Sequence, residues 1–388
     1  MPRGLPRATV LESLRLAAVI VPPGAPHLMP GRDPLRSRAL LAELEARYGG
    51  RPVLVRGLRG PALLIISKRD ALRVLSEEGE YAQGVEQRPF GLPTDVLRPT
   101  FIDIAREEAG ELTSGVVDHD RLNARWQRVA RRCVYGDGAA DDVELTRLLA
   151  GLTRAGRWRD RRRQDLLSGR YDARILDHLR RAEPGSLAGL IAERPGVGRS
   201  RGLMQAAFWL MGLGVLSAGL MQTLALLAAH PAQRKSARRD ADYLRACLRE
   251  GLRLWPPVPA LSRVTATRTD WYGTTVPAGT TVLVPIAAHQ RSPRLPYANT
   301  FAPEIWLDGT AANEWWAQSF KGPGCDGVHL TLAVGTAFLA GIVRAARPKP
   351  VGRLLSPHRP LPHSLNLSRL RVTMRPLRIH GAPSPAQN

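Results

Sequence analysis

One apolar segment constrains the fold of this chain more than any other. It runs from Met204 to His230 and is closed by Pro231, which cannot continue helical hydrogen bonding. The segment is long enough to cross a bilayer, but a single such helix with many small residues is more typical of a protein core. It contains Gly212, Gly214 and Gly219, and each glycine costs roughly 1 kcal/mol relative to alanine in a helix interior. We therefore predict a central helix whose backbone is closely approached by a flat group.

A second feature is a cysteine that follows a glycine-rich turn. The segment from Ser319 to Leu330 reads SFKGPGCDGVHL, and an apolar helix is predicted from Leu330 to Val343. Glycines let a backbone approach a flat ligand closely. A sulfur just ahead of a helix N-terminus, as predicted for Cys325, is biased toward the thiolate. This arrangement suits a thiolate ligand of haem iron; on this segment alone, a buried structural cysteine is the alternative.

Length and cysteine usage indicate a soluble intracellular protein. The 388 residues contain no Ser-rich linker and no clean boundary, so we predict a single domain over 1–388, with an extended N-terminal arm at 1–35 and a tail at 378–388. The three cysteines lie far apart in sequence and indicate no disulfide framework. The apolar run 16–21 is too short to span a membrane and lacks a cleavage pattern. We expect a cytoplasmic protein without membrane association.

The charge balance indicates an acidic partner. Lys plus Arg number 56 against 34 Asp plus Glu, giving a net charge of +22. The alternative is an arginine-rich composition spread over solvated faces. Aromatic residues make up 5% of the chain and do not interleave with the basic runs, so nucleic acid is not favoured. We predict an acidic protein partner, a ferredoxin or a carrier protein, docking on a patch that includes Arg128, Arg131 and Arg132.

Four short motifs lie in order between the long helix and the cysteine. They are Glu250-Gly-Leu-Arg253, Leu254-Trp-Pro-Pro257, Val276-Pro-Ala-Gly279-Thr280 and Phe301-Ala-Pro-Glu304. Glu250 and Arg253 are spaced to share one helix face. Together with Cys325-Asp-Gly327, this order resembles the cytochrome P450 superfamily, and most closely its soluble actinobacterial members, over about residues 35–380. The resemblance implies a mainly α fold with small β-sheets, crossed at its centre by the long helix.

The resemblance also implies a haem b cofactor and a role for each matching residue. Cys325 would be the axial thiolate ligand of the haem iron, and Glu250 and Arg253 would form a buried structural pair. The other residues expected at the haem or its propionates are Trp126, Arg131 (with Arg128 as the alternative), Arg263, Phe320, Gly322 and Gly327.

The cysteine loop departs from the family pattern. The stretch from Phe320 to Cys325 is shorter than in the family, no arginine precedes the cysteine, and Asp326 follows it. The segment that begins at Phe301 lacks the arginine that usually completes the Glu-x-x-Arg triad.

The long helix departs from the pattern more sharply. Family spacing places the acid and alcohol that deliver protons for oxygen activation at Gly214 and Val215, so both groups are absent. A second register, which would use Thr223, fits the spacing less well.

Three functions agree with this pattern. The first is a haem-thiolate enzyme that oxidises a small-molecule intermediate of bacterial specialised metabolism, with substrate or water supplying protons. The second is a haem-thiolate isomerase, dehydratase or peroxide-using enzyme. The third is a non-catalytic partner that stabilises another biosynthetic enzyme, such as a glycosyltransferase. A fold alone does not choose among them.

Overall fold

Long helices surround a shared apolar core, with small β-sheets at its edge. The computed structural model describes residues 4–19, 42–57, 60–77, 79–82, 90–158, 160–257, 260–311, 326–352 and 355–377. Within these ranges the helices are α1 (Val10–Val19), α2 (42–48), α3 (Lys68–Ser76), α4 (Arg98–Gly110), α5 (His119–Tyr135), α6 (Val143–Trp158), α7 (Arg161–Arg181), α8 (Leu187–Ala192), α9 (Arg199–Ala229), α10 (Pro231–Arg239), α11 (Ala241–Leu254), α12 (Ile286–Gln290) and α13 (Asp326–Ala345). The mainly helical prediction is confirmed.

The strands form three sheets. They are β1 (Val53–Gly57), β2 (Gly60–Leu64), β3 (Tyr81–Ala82), β4 (Gly115–Asp118), β5 (Ala260–Thr265), β6 (Thr269–Trp271), β7 (Thr274–Val276), β8 (Thr281–Pro285), β9 (Ala346–Pro350) and β10 (Arg371–Pro376). The largest sheet has the order β1-β2-β8-β5-β3, the second β4-β10-β9, and the third is the hairpin β6-β7. The first sheet therefore joins strands from residues 53–82 with strands from residues 260–285.

Helix α9 crosses the centre of the helical core, as the apolar segment predicts. It packs against α5, α11 and α13, and α13 also packs along α4. Every residue from Leu216 to Ala229 is buried. Both α9 and the stretch 327–345 have the length and hydropathy of a membrane span, but most of each lies inside the protein. Burial on this scale is typical of core helices.

The N-terminal arm differs from its extended prediction because residues 10–19 form α1. The start of this helix is fixed by a capping box: the Thr9 N–H donates to Glu12 Oε2 at 2.7 Å, and the Glu12 N–H donates to Thr9 Oγ1 at 3.2 Å. Leu16 is buried against the first sheet's core. The cap and the buried face stabilise α1, although the segment that follows it is rich in proline.

Glycines allow α9 and α11 to cross at close range. A Cβ added at Gly251 of α11 would lie 2.5 Å from Thr223 Oγ1 and 3.7 Å from the carbonyl oxygen of Gly219 on α9. The Thr223 hydroxyl already donates to that carbonyl at 2.7 Å. This crossing holds the Glu250–Arg253 turn of α11 against the centre of the fold.

We expect Gly251→Ala to lower the free energy of unfolding by about 1–2 kcal/mol, because the added methyl overpacks the crossing. Urea unfolding followed by circular dichroism measures the loss. Thr223→Ala in the same chain should recover part of it, since the nearest atom to the new methyl is then gone. Additive losses in the double variant would contradict this account of the contact.

Candidate functional site

Helix α9 carries an exposed apolar stripe halfway along its length, ahead of a second half that is buried throughout. Phe208 is 43% exposed and Met211 is 42% exposed, and Val215 is half-buried. With Gly212, these residues follow the i, i+3, i+4, i+7 spacing of one helix face. A Cβ added at Gly212 would have no heavy atom within 4 Å. The stripe can therefore accept a flat, largely apolar group.

The N-terminal turn of α13 lies beside this stripe. Helix α13 begins at Asp326, and a Cβ added at Gly327 would lie 3.0 Å from Cη2 of Trp209 on α9. The Trp209 side chain is buried, and its indole N–H has no hydrogen-bond partner within the described part of the chain. A glycine at 327 is thus required for this close packing, and the indole leaves one buried donor for a polar group.

These observations fit a haem in part. The stripe is apolar and lacks a side chain at Gly212, as the face of a porphyrin requires, and the Trp209 N–H is a donor without a partner among the described residues. The predicted ligand Cys325 and its loop neighbours Phe320 and Gly322 lie outside the described residues. Their roles stay predictions.

The positions of the expected acid and alcohol differ in their surroundings. A Cβ added at Gly214 would lie 3.2 Å from both side-chain amide atoms of Gln127 on α5, while Val215 lies on the exposed stripe. Ser217 and Thr223 are buried elsewhere on the helix. Helix α9 contains no Asp or Glu. No carboxylate or hydroxyl of α9 therefore lies on the stripe.

Glu250 and Arg253 form a fully buried ion pair. Both side chains are 0% exposed, and two N–H groups of Arg253 donate to the Glu250 carboxylate at 2.7 and 2.8 Å. Arg253 also donates to the backbone carbonyls of Gln290, Tyr297 and Thr300 at 2.8–3.2 Å. A buried charge pair needs such additional partners to offset its desolvation. The pair ties α11 to the segment that leads toward Cys325.

Trp306 fills the place left by the missing triad arginine. Its indole N–H donates to Glu250 Oε2 at 3.0 Å, and the Ala302 backbone N–H donates to Glu250 Oε1 at 3.0 Å. The sequence analysis missed this role. Trp306 could have been predicted for this role, because a buried indole usually donates its single N–H to an acceptor.

Trp126, predicted to lie at a propionate, is fully buried in the helical core. Its indole N–H donates to the Leu213 carbonyl of α9 at 2.6 Å, and its ring packs edge-on against Phe338 of α13 with centroids 5.3 Å apart. An indole has a single donor, and here that donor joins α5 to α9. The structure therefore shows a packing role for Trp126, and its role at a propionate stays a prediction.

Arg131 is also committed within the protein. It is 3% exposed and donates from Nη2 to the Ala140 carbonyl at 2.6 Å and from Nε to the Ala139 carbonyl at 3.2 Å. Burial lowers its pKa. These hydrogen bonds hold the turn after α5, and the expected propionate contact of Arg131 stays a prediction. Arg263 lies in β5, almost buried, with Nη1 donating to the Ser262 carbonyl at 3.0 Å, and its propionate role stays a prediction.

The three arginines of the predicted docking patch on α5 face α4 and the following turn, and a partner on this patch stays a prediction. Arg132 is 8% exposed and pairs with Glu107 and Glu108 at 2.9 Å. Arg128 pairs with Glu108 at 2.7 Å and with Asp141. Arg131 is buried as well, and Arg128 keeps 30% of its side chain exposed. Basic side chains of α5 are neutralised by carboxylates of α4, and the sequence alone does not show this pairing.

Comparisons with known proteins give cytochrome P450 matches over part of the chain. The family model "Cytochrome P450" matches residues 225–320, ending before Cys325. Cyclooctat-9-en-7-ol 5-monooxygenase from Streptomyces melanosporofaciens is 34% identical over 32% of this chain and 32% of its own length. Cytochrome P450 monooxygenase buaD from Petromyces alliaceus is 38% identical over 20% of this chain and 15% of its own. The chain thus matches a third or less of these curated relatives.

Solved structures match over most of the chain. The crystal structure of CYP175A1 from Thermus thermophilus has a TM-score of 0.65 and 21% identity, covering 88% of this chain and 95% of that one. A six-coordinated cytochrome P450 from another strain of the same species has a TM-score of 0.64 and 18% identity, covering 87% and 98%. Helices, sheets and their order therefore agree with one known fold throughout the compared region.

Proposed function

Because this chain belongs to the cytochrome P450 superfamily, we propose that it is an oxidoreductase acting on a small, largely apolar molecule. Family and fold imply a haem whose iron is bound by a cysteine thiolate, and we assign that ligand to Cys325. The observation that carries the proposal is the exposed stripe of α9 beside the start of α13. Cofactor and substrate would occupy this face, because the second half of the helix is buried.

The chemistry of the stripe supports an apolar substrate. Phe208, Met211 and Val215 offer area for burial, at about 25 cal/mol per Å² of apolar surface, but no hydrogen bond from their side chains. Such a wall binds by shape and hydrophobicity, and flexible Met211 can adapt to several shapes. We propose an intermediate of bacterial specialised metabolism as the substrate; a relative named as a monooxygenase of cyclooctat-9-en-7-ol agrees with this class.

Proton supply is where this site departs from its family. A thiolate-bound haem supplies oxygen-activating chemistry when present. The residues of α9 cannot hold or relay a proton at the stripe, because none of them there is an acid or an alcohol. The space beside Gly212 is open for a water molecule or a polar group of the substrate. We propose that one of these takes over proton delivery.

Electrons would come from a protein partner. We propose an acidic redox protein, a ferredoxin, or else an acidic carrier protein that presents the substrate, in the cytoplasm. The net charge of +22 supports an acidic partner. Attraction of this kind should weaken at higher salt, because exposed charges are screened over roughly 8–10 Å.

A visible spectrum tests the proposed function. The reduced wild-type protein under carbon monoxide should show the red-shifted Soret band of a thiolate-bound haem, and Cys325→Ser should abolish it. Cys133→Ser is the matched control: burial raises the pKa of the Cys133 thiol, so this cysteine stays protonated and the band should persist.

Two outcomes contradict the assignment. A band that survives in Cys325→Ser would place the thiolate elsewhere. A wild-type protein that shows no band after reconstitution with haem would favour a non-catalytic partner of another biosynthetic enzyme.

A further inference from the structure

A basic cavity, partly open to solvent, lies beside the first turns of α13. It is bordered by the short helix Thr94–Leu97, the first turn of α4, one face of α11 and the first turns of α13, and its volume is about 660 Å³. Four basic side chains line it, against a single carboxylate, Asp95: Arg98, Arg245, Arg249 and His329. Neither the stripe of α9 nor the Glu250–Arg253 pair uses this space.

Arg249 is held in place at the cavity without full hydrogen bonding. Its guanidinium lies over the ring of Trp306, with 4.8 Å between Cζ and the ring centroid. Its Nε is buried and has no hydrogen-bond partner among the residues that the structure describes. Burial, and then the charge of Arg245, lower the pKa of Arg249. A half-buried cation that is repelled by a neighbour and left with an unused buried donor is costly unless an anion completes it.

Two neighbouring arginines also favour binding of an anion in this cavity. Arg245 lies one turn before Arg249 on the same face of α11, and its ion pair with Asp242, at 2.8 Å, is solvent-exposed and therefore weak. Arg98 has no ion pair within the described ranges and opens α4 from the opposite wall. Guanidinium groups on two walls can bind a phosphate or carboxylate from both sides, because each presents a planar fork of donors.

The remaining lining is apolar and selects the kind of anion. Leu92 and Pro93 form one wall, and Leu330 and Leu332 of α13 form another. Water alone satisfies such walls poorly, whereas a short hydrocarbon body buries against them. The volume also exceeds what a bare phosphate ion fills, since small-molecule sites typically begin at roughly 300 Å³.

We propose that this cavity binds a small amphiphilic anion. Its phosphate or carboxylate head pairs with Arg98, Arg245 and Arg249, and its short apolar body lies against Leu92 and Leu330. The site does not depend on the haem or on the proposed activity, because the described residues form it. Since His329 and Leu330 follow Cys325 closely in sequence, an occupied cavity would brace the turn of α13 that follows the predicted ligand.

Calorimetric titration of the purified protein tests the site with three probes: hexyl phosphate, hexanoate and inorganic phosphate. Hexyl phosphate or hexanoate should bind with measurable heat, and the tighter of the two identifies the head group. Inorganic phosphate should bind at least tenfold more weakly than hexyl phosphate, because it lacks the apolar body. Arg249→Gln should weaken the better probe at least tenfold, the loss expected for a charged hydrogen bond.

Two further variants make the test decisive. Arg98→Gln, on the opposite wall and away from Trp306, should weaken the same probe if Arg249→Gln affects folding. Arg238→Gln removes one exposed charge from α10 outside the cavity and should leave the affinity unchanged. Absence of binding by both organic probes, or affinities that Arg249→Gln and Arg98→Gln leave unchanged, would overturn the proposal. Binding of an acidic ferredoxin that needs these arginines, without binding of either probe, would also overturn it in favour of a protein-docking face.

Discussion

Replacing Arg253 by leucine lowers the free energy of unfolding by about 3–5 kcal/mol, the range expected when one partner of a buried ion pair is removed. The side chain is fully buried and donates to the Glu250 carboxylate and to the carbonyls of the segment around Tyr297. Leucine leaves the carboxylate buried with only two of its donors, Ala302 and Trp306. Against a typical total stability of about 5–15 kcal/mol, this loss leaves the chain marginal or unfolded.

Urea unfolding followed by circular dichroism at 222 nm measures the effect. The matched control is Arg245→Leu, which makes the same change two turns earlier on α11 at a side chain that is 45% exposed and paired only at the surface. Its effect should stay within about 0.5 kcal/mol. An equal decrease in the free energy of unfolding in the two variants would contradict this account, because it would mean that burial of the Glu250–Arg253 pair adds nothing to its effect on stability.

Restoring an acid and an alcohol to α9 should increase coupled oxygen use by about 10²-fold, the lower end of what positioned proton transfer contributes. The variant is Gly214→Asp with Val215→Thr. A carboxylate at 214 would meet the Gln127 amide, whose atoms lie 3.2 Å from an added Cβ, and the amide N–H can hold it in place. The threonine hydroxyl at 215 would lie on the exposed stripe, where a water can link the two groups.

The measurement is product formed per NADPH consumed, with ferredoxin and its reductase supplying electrons. The substrate is the apolar compound that gives the largest spectral shift on binding. Gly214→Asn with Val215→Thr is the matched control, because it keeps the size of both side chains and removes the proton donor. An equal gain in the control, or no gain in a protein that turns over its substrate, would mean that the chemistry never used this relay.

The central helix follows from apolar composition and length, since the segment 204–230 predicts α9 within a few residues of its observed bounds. Helix α1 was predictable as well. Thr9 and Glu12 form the Ser/Thr-x-x-Glu capping signal just before an apolar run, but the prolines farther along drew the prediction toward an extended arm.

The partners of side chains on α5 were harder to predict. Family spacing placed Trp126 and Arg131 at a propionate, yet both serve the packing of α5. Which atoms they reach depends on where α9 and the turn after α5 lie in three dimensions. A one-dimensional pattern contains the amphipathic face of a helix but not the identity of the element that covers it.

The indole of Trp306 makes the buried pair depend on its sequence background. Its N–H donates to Glu250 Oε2, and the guanidinium of Arg249 lies over its ring. An arginine restored to the segment after Phe301 would compete for an acceptor that is already used, so a change that completes the motif in a relative would be neutral or harmful here. Such dependence is epistasis. The triad arginine and Trp306 would have to change together, and we expect sequences with both residues, or with neither, to be less stable.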